Sequence, residues 1–257
     1  MKITVPRPAR QIAFWGVLAI ILTIPLSVCA AETNTGDSLA FGNGQTLRLN
    51  GIHAPLASTP NLKEQAQKRL EQLIPPEAAS KLRLDPLAPP SNRYGQLTAQ
   101  AYAPASPPVW VQGALLREGL AFVYPPTGNE PNLDDLLAAE TEARRARRGI
   151  WSDPFYIGIP ATELTSKDEG RYAFVRGQIV EAVRIKNKVY LNFGPDWRKD
   201  FTVIIAARNL KAFRKSGLDP LALKGQTILV RGWIKHNFGP MIELTHPAQM
   251  MVLKEQK

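Results

Sequence analysis

The chain has 257 residues, 44% of them hydrophobic, with a formal net charge of +10 and a pI near 9.8. That is apolar material for one large core or two ordinary ones, and the charge is too moderate for general disorder. The basic balance favours anionic partners, and a lone cysteine, Cys29, excludes an internal disulfide framework.

The first thirty residues read as a leader. Lys2, Arg7 and Arg10 precede an apolar run from Ile12 to Val28, broken by Gly16 and Pro25, and Val28-Cys29-Ala30 places small residues ahead of Ala31. This is the layout of a cleavable secretory signal over residues 1–30, which predicts a secreted or periplasmic protein. A retained membrane anchor is the alternative, although the run is short for a span. Leu26-Ser27-Val28-Cys29 also resembles a lipoprotein box, apart from the bulky Val28. Cleavage after Ala30 leaves 29 basic and 22 acidic residues, a charge of +7. It also removes the only thiol, and with it any cysteine nucleophile or thiolate metal site.

Residues 31–151 form the first predicted domain. Ser38 to Phe41 and Gln45 to Ile52 are strands joined by the turn Gly42-Asn43-Gly44. Leu47 and Leu49 alternate with Arg48 and Asn50, so the two sets face opposite ways. Asp37 stands before this hairpin and His53-Ala54-Pro55 closes it, which sets a carboxylate, a guanidinium and an imidazole near one sheet edge. Leu62 to Leu73 has helical apolar spacing and is stopped by Pro75-Pro76. A proline-laden stretch to Pro90 contains one predicted strand, Lys81 to Leu84. Leu97 to Tyr102 is a strand, Trp110 to Glu118 a helix ended by Gly119, and Leu120 to Tyr124 a further strand. Leu133 to Arg148 is the longest predicted helix. Glu140 lies four residues before Arg144, and Arg144, Arg145, Arg147 and Arg148 crowd the last turn, where the helix dipole favours cations.

The pieces TGDSL, LRLNGIHAP, NRYGQLTAQAY, WVQGALLREGLAFVY and LLAAETEARRARRGIW, in this order, resemble the thermonuclease (staphylococcal-nuclease-like) family. The resemblance implies an α+β fold, mainly β with α: an OB-type five-stranded barrel with three helices. It also implies calcium and two arginines on a nucleic-acid phosphate, with a glutamate assisting water. Carried over by position, the metal carboxylate is kept as Asp37 and the first arginine as Arg48. The second metal carboxylate falls on His53, its neighbouring threonine on Ala54, the glutamate on Leu56 and the second arginine on Gln96. Leucine accepts no proton and glutamine carries no charge, so the expectation is a catalytically inactive domain without a cofactor. Calcium wants several hard oxygens, which one carboxylate and an imidazole do not supply. The alternatives are an active nuclease using calcium or another divalent metal, with Asp37 and His53 holding zinc or manganese and Arg93 standing in for the lost arginine. The leader also leaves few residues ahead of Gly36 for a first barrel strand, which is expected to be truncated.

Ser152 to Gly170, residues 152–170, reads as a linker, and residues 171–253 as a second small OB-like β-barrel. Its predicted strands are Phe174 to Val183, Lys188 to Phe193, Phe201 to Ala206, Gln226 to Ile234 and Met241 to Leu244, with a helix from Asn209 to Ser216. Tyr190, Phe193, Trp197 and Trp233 are candidate stacking platforms for single-stranded nucleic acid, amid Lys186, Lys188, Arg198, Lys199 and Lys235. The competing reading makes the aromatics core and the cations a solvated face; His246 is expected to be structural. The partners expected are nucleic acid or another polyanion, or an envelope protein, and membrane only if the leader is retained; a purely structural envelope role is the remaining alternative.

Overall fold

The computed structural model describes residues 32–124 and 132–253. The leader and Cys29 lie outside the described residues. Two sheets, each with its own apolar core, are joined by a third cluster rich in aromatic rings.

The first sheet begins with β1 (Glu32–Thr35), β2 (Ser38–Ala40) and β3 (Thr46–Leu49), an antiparallel meander. A four-residue first strand therefore stands ahead of Asp37. The return strand ends at Leu49, earlier than its alternating pattern predicts. Gly51 takes φ 78° and turns the chain, so β4 (Ile52–His53) pairs elsewhere. Helix α1 (Pro60–Leu73) buries Ala66 and Leu70. Strand β5 (Arg83–Ser91) runs through the proline stretch, and its ladder shifts register between Pro86 and Ser91 because prolines cannot donate. It pairs with β6 (Leu97–Ala103), which lies parallel to β3 and carries β7 (Val109–Trp110) on its other end. The strand order is β1-β2-β3-β6-β5, and among the described residues no ladder joins β5 back to β1.

Helix α2 (Val111–Arg117), strand β8 (Phe122–Val123) and helix α3 (Leu133–Arg145) follow, with β8 paired to β4. The glycines ending α2 and following α3 are explained together. Gly119 (φ 69°) and Gly149 (φ 52°) press backbone to backbone, and the Ile150 N–H donates to the Gly119 carbonyl at 2.9 Å. A Cβ at Gly119 would lie 2.1 Å from the Arg148 oxygen, so neither motif tolerates a side chain there.

The stretch 152–170 is folded. Helix α4 (Pro154–Ile157), capped by Asp153, buries Tyr156 completely, and β9 (Ile159–Pro160) lies parallel to β10 (Tyr172–Gln178). The predicted strand Phe174 to Val183 is two strands, β10 and β11 (Glu181–Ile185). Ile179 leaves the ladder to exchange hydrogen bonds with Gly225 and Gln226. β12 (Lys188–Asn192), β13 (Thr202–Ala206), α5 (Leu210–Lys215), β14 (Thr227–Asn237), β15 (Gly239–Leu244) and β16 (Met250–Val252) complete the chain. The order is β11-β12-β13-β15-β14-β10, with β13 and β15 parallel. Since β10 and β11 are halves of one bent strand, this sheet closes on itself as an OB-type barrel. The fold is α+β, as the resemblance implies.

Candidate functional site

The hairpin brings Asp37, Arg48 and His53 together. Asp37 sits between β1 and β2, and Ser38 is the register partner of Arg48. The Asp37 carboxylate is only 1% exposed and spends both oxygens on this chain. Oδ1 accepts from the Thr35 hydroxyl at 2.6 Å and from Arg48 Nη1 at 2.7 Å, and Oδ2 accepts from the Ala54 N–H at 2.6 Å. His53 Nδ1 stands 3.7 Å from Oδ2 and 2.7 Å from the Ala54 carbonyl. Among the described residues no group of three or more His, Cys, Asp or Glu side chains could hold a metal. One carboxylate, already engaged by three donors, with one imidazole does not fit calcium, which takes six to eight oxygens. Nor does it complete a zinc set.

The remaining positions are occupied by structure. The Asn92 side chain spans the turn of β5 and β6, accepting from the N–H groups of Tyr94 and Gln96 and donating to the Gln96 side chain at 2.9 Å. Gln96 is thus part of a turn brace. Arg93 lies over the Tyr94 ring at 4.7 Å and donates to its hydroxyl, which keeps it on this exposed loop; the structure does not bring it to Arg48.

Leu56 is the most telling position. Its side chain packs against the joining aromatic cluster, and its N–H donates to the Tyr156 hydroxyl at 2.8 Å. Thr59 braces the same place, donating to the Leu56 carbonyl at 3.0 Å and lying 3.1 Å from that hydroxyl. His53 stacks on Phe122 at 5.3 Å and meets Tyr124 edge-on; Phe122 in turn touches Tyr156, Tyr172 and Phe174. The edge that carries His53 and Leu56 is therefore where the first sheet meets the second barrel. Burial raises the Tyr156 hydroxyl pKa from its usual 10.0, and raises that of Tyr172 further still.

A buried ion pair finishes the joint. Arg231 on β14 donates to Glu140 on α3 at 2.6 and 3.1 Å and to the Ala248 carbonyl at 2.9 Å. Glu140 also accepts from the Val123 N–H at 2.8 Å. The predicted partner of Glu140 was Arg144, one helical turn away. Instead Arg144 turns into the joint, over the Trp151 ring at 5.0 Å and against Met251, and burial lowers its pKa. It is a packing residue as much as a helix-end cation.

The second-barrel candidates separate. Phe193 is in the barrel core, 6% exposed, and packs on Phe201, so it offers no stacking face. Tyr190 is half-buried on β12. Trp197 and Trp233 are about half exposed, but lie apart: Trp197 contacts Phe238 at 5.6 Å beneath Arg198, whereas Trp233 contacts Tyr172 at the joint. Lys235 pairs with Glu243 and Lys199 with Asp196, while Lys186 and Lys188 flank the β11–β12 turn. His246 accepts from the Ala248 N–H and caps a short turn. Sequence reasoning missed Tyr156 and Arg231. Arg231 left one signal, a charge inside the apolar run ILVRGWI.

Comparison with known proteins gives a consistent picture. Residues 46–153 match the family model described as Staphylococcal nuclease homologue. Two relatives, each named "Uncharacterized endonuclease", from Escherichia coli O157:H7 and Escherichia coli, are 39% identical over 62 residues. That match covers 24% of this chain and 37% of each relative.

Proposed function

We propose that this protein, whose residues 46–153 form a staphylococcal-nuclease-type domain, binds nucleic acid without cutting it. The observation that carries the reading is the fate of the hydrolytic edge. Asp37 is engaged by Thr35, Arg48 and Ala54, and Leu56 is built into the joint with the second barrel. Phosphodiester hydrolysis needs cations against the developing charge and a group that activates or positions water. The edge retains one arginine, already paired with Asp37. What remains is a basic two-barrel protein on a nuclease-type frame. The leader expected over residues 1–30 adds a secreted or periplasmic location to the proposal, where extracellular nucleic acid or another polyanion is the ligand, and no metal cofactor is required.

The test is incubation of the full chain with single-stranded and duplex DNA and RNA under calcium, manganese or zinc, alongside binding measurements at low and high salt. Salt-sensitive binding with intact substrate is expected. Cleavage that disappears in Arg48→Ala would sink the non-catalytic half of the proposal and restore the metal-dependent reading built on Asp37 and His53. Absence of binding at low salt would favour a structural envelope role.

A further inference from the structure

The charge of this protein is concentrated in one place. Residues 176–226 hold eleven Lys or Arg against four Asp or Glu, a net of +7 within a chain of +10. The four carboxylates are occupied away from the β11–β12 turn. Glu181 sits at the far end of the β11–β12 ladder opposite Asn192, which donates to it. Asp196 and Asp200 fold the loop after β12 by accepting from the N–H groups of Arg198 and Asp196, and Asp219 caps the turn that begins at Pro220.

The opposite end of the barrel is crowded with cations. The β11–β12 turn places Arg184, Lys186 and Lys188 within a few residues, all exposed. Lys188 is the register partner of Ala206, and the Ala207 N–H donates to the Asn187 carbonyl at 2.8 Å, so the turn leading into α5 docks on this hairpin. Helix α5 buries Leu210 and Phe213, which leaves Lys211 and Lys215 on its exposed side, one turn apart. Arg208 begins the same row, and among the described residues it alone of these six cations comes within 4.0 Å of a carboxylate, Glu243. Keeping so many like charges together costs self-repulsion that a merely solvated face would relieve with interspersed carboxylates.

We propose that this hairpin-and-helix end of the second barrel binds the phosphate backbone of duplex nucleic acid, independently of sequence. The inference rests on the nucleic-acid reading above, but assigns a site remote from the hydrolytic edge. Its choice of duplex follows from what the basic end lacks. The large exposed aromatics, Tyr94, Trp197, Trp233 and Phe238, lie on other loops and strands, and the exposed apolar residue at this end is Ile185. A single strand is held by bases stacked on aromatic faces, whereas a duplex offers a continuous ridge of phosphates with its bases covered.

The experiment is fluorescence anisotropy of the full chain with a labelled duplex, its sequence-scrambled counterpart and the matching single strand, over a salt series. Expected are equal affinities for the two duplexes, a weaker single strand, and a log–log salt slope of about −4 to −5, for about five phosphates. Lys186→Glu with Lys188→Glu, and separately Lys211→Glu with Lys215→Glu, should each weaken duplex binding at least about tenfold. All four positions are exposed, and unchanged circular dichroism verifies folding. Lys68→Ala, on the exposed face of α1 and already paired with Glu64, should bind duplex as the parent does. Unchanged duplex affinity in both charge-reversed variants would overturn the site while leaving the nucleic-acid reading standing. A parent chain that binds no nucleic acid at low salt would overturn both. Single-strand preference would overturn the duplex assignment, and tighter binding to anionic phospholipid vesicles, lost in the same variants, would replace nucleic acid by a membrane surface.

Discussion

Two carboxylate–guanidinium pairs organise this molecule, and they differ in what surrounds the arginine. Asp37 and Glu140 are equally buried, each 1% exposed. Arg48, however, keeps 26% of its side chain exposed, whereas Arg231 keeps 8%. The first pair spans 11 residues within one hairpin region, the second 91 residues and two barrels. A guanidinium at the surface can exchange its carboxylate for water or a phosphate. One sealed inside can exchange it for nothing, so the pair acts as a fastening. The same chemistry yields a solvent-facing pair in one region and a joint in the other.

Breaking the sealed pair should have the largest effect. Arg231→Ala strands a buried carboxylate and should cost about 3–5 kcal/mol in urea unfolding. Replacing both partners by apolar residues, Glu140→Leu with Arg231→Met, should recover most of that loss. Asp37→Ala should cost less, about 2–3 kcal/mol, because it orphans the Ala54 N–H while the Thr35 hydroxyl keeps Ser38 and Arg48 can turn to solvent. A loss equal to that of Arg231→Ala would erase the contrast between the pairs.

Smaller changes sharpen the picture of the joint. Tyr156→Phe removes the hydroxyl that accepts from Leu56 and should cost about 1 kcal/mol. Burial raises the pKa of Tyr156 and Tyr172, so the folded state favours their neutral forms. That stabilisation is fully present below the unfolded value of 10.0 and is lost as pH climbs above it. Denaturant titrations should therefore show stability falling above about pH 10, and less steeply in Tyr156→Phe. The smallest expected change is a gain. Phe238 occupies the left-handed region at φ 69° in the β14–β15 turn, 67% exposed, and Phe238→Gly should stabilise by up to about 1 kcal/mol.

Much of the first domain was legible because its signals are local. The alternation around Arg48 and the helical spacing from Leu62 to Leu73 each depend on near neighbours. Boundaries slipped where a long-range partner intervened. The return strand stopped at Leu49 because Ile52 and His53 were claimed by Phe122 and Val123. The predicted strand Phe174 to Val183 broke at Ile179, which bonds to Gly225 and Gln226. The apparent linker 152–170 concealed Tyr156, whose value lies wholly in residues about a hundred positions earlier.

For the site, the residue types at 54, 56 and 96 were legible directly, because alanine and leucine accept no proton and glutamine carries no charge whatever surrounds them. Sequence therefore carried the frame, the order of the two β-rich units, the basic balance and the residue types at the matched positions. The fold in space added their surroundings: that Asp37 is held by three donors of its own chain, that Leu56 belongs to a joint, and that Glu140 hydrogen-bonds Arg231 while Arg144, still attracted to it, packs on Trp151. The physical reason is reach. Side-chain chemistry and helical or strand periodicity are written within a few residues, whereas burial and ion pairing depend on which distant segment arrives to exclude the water.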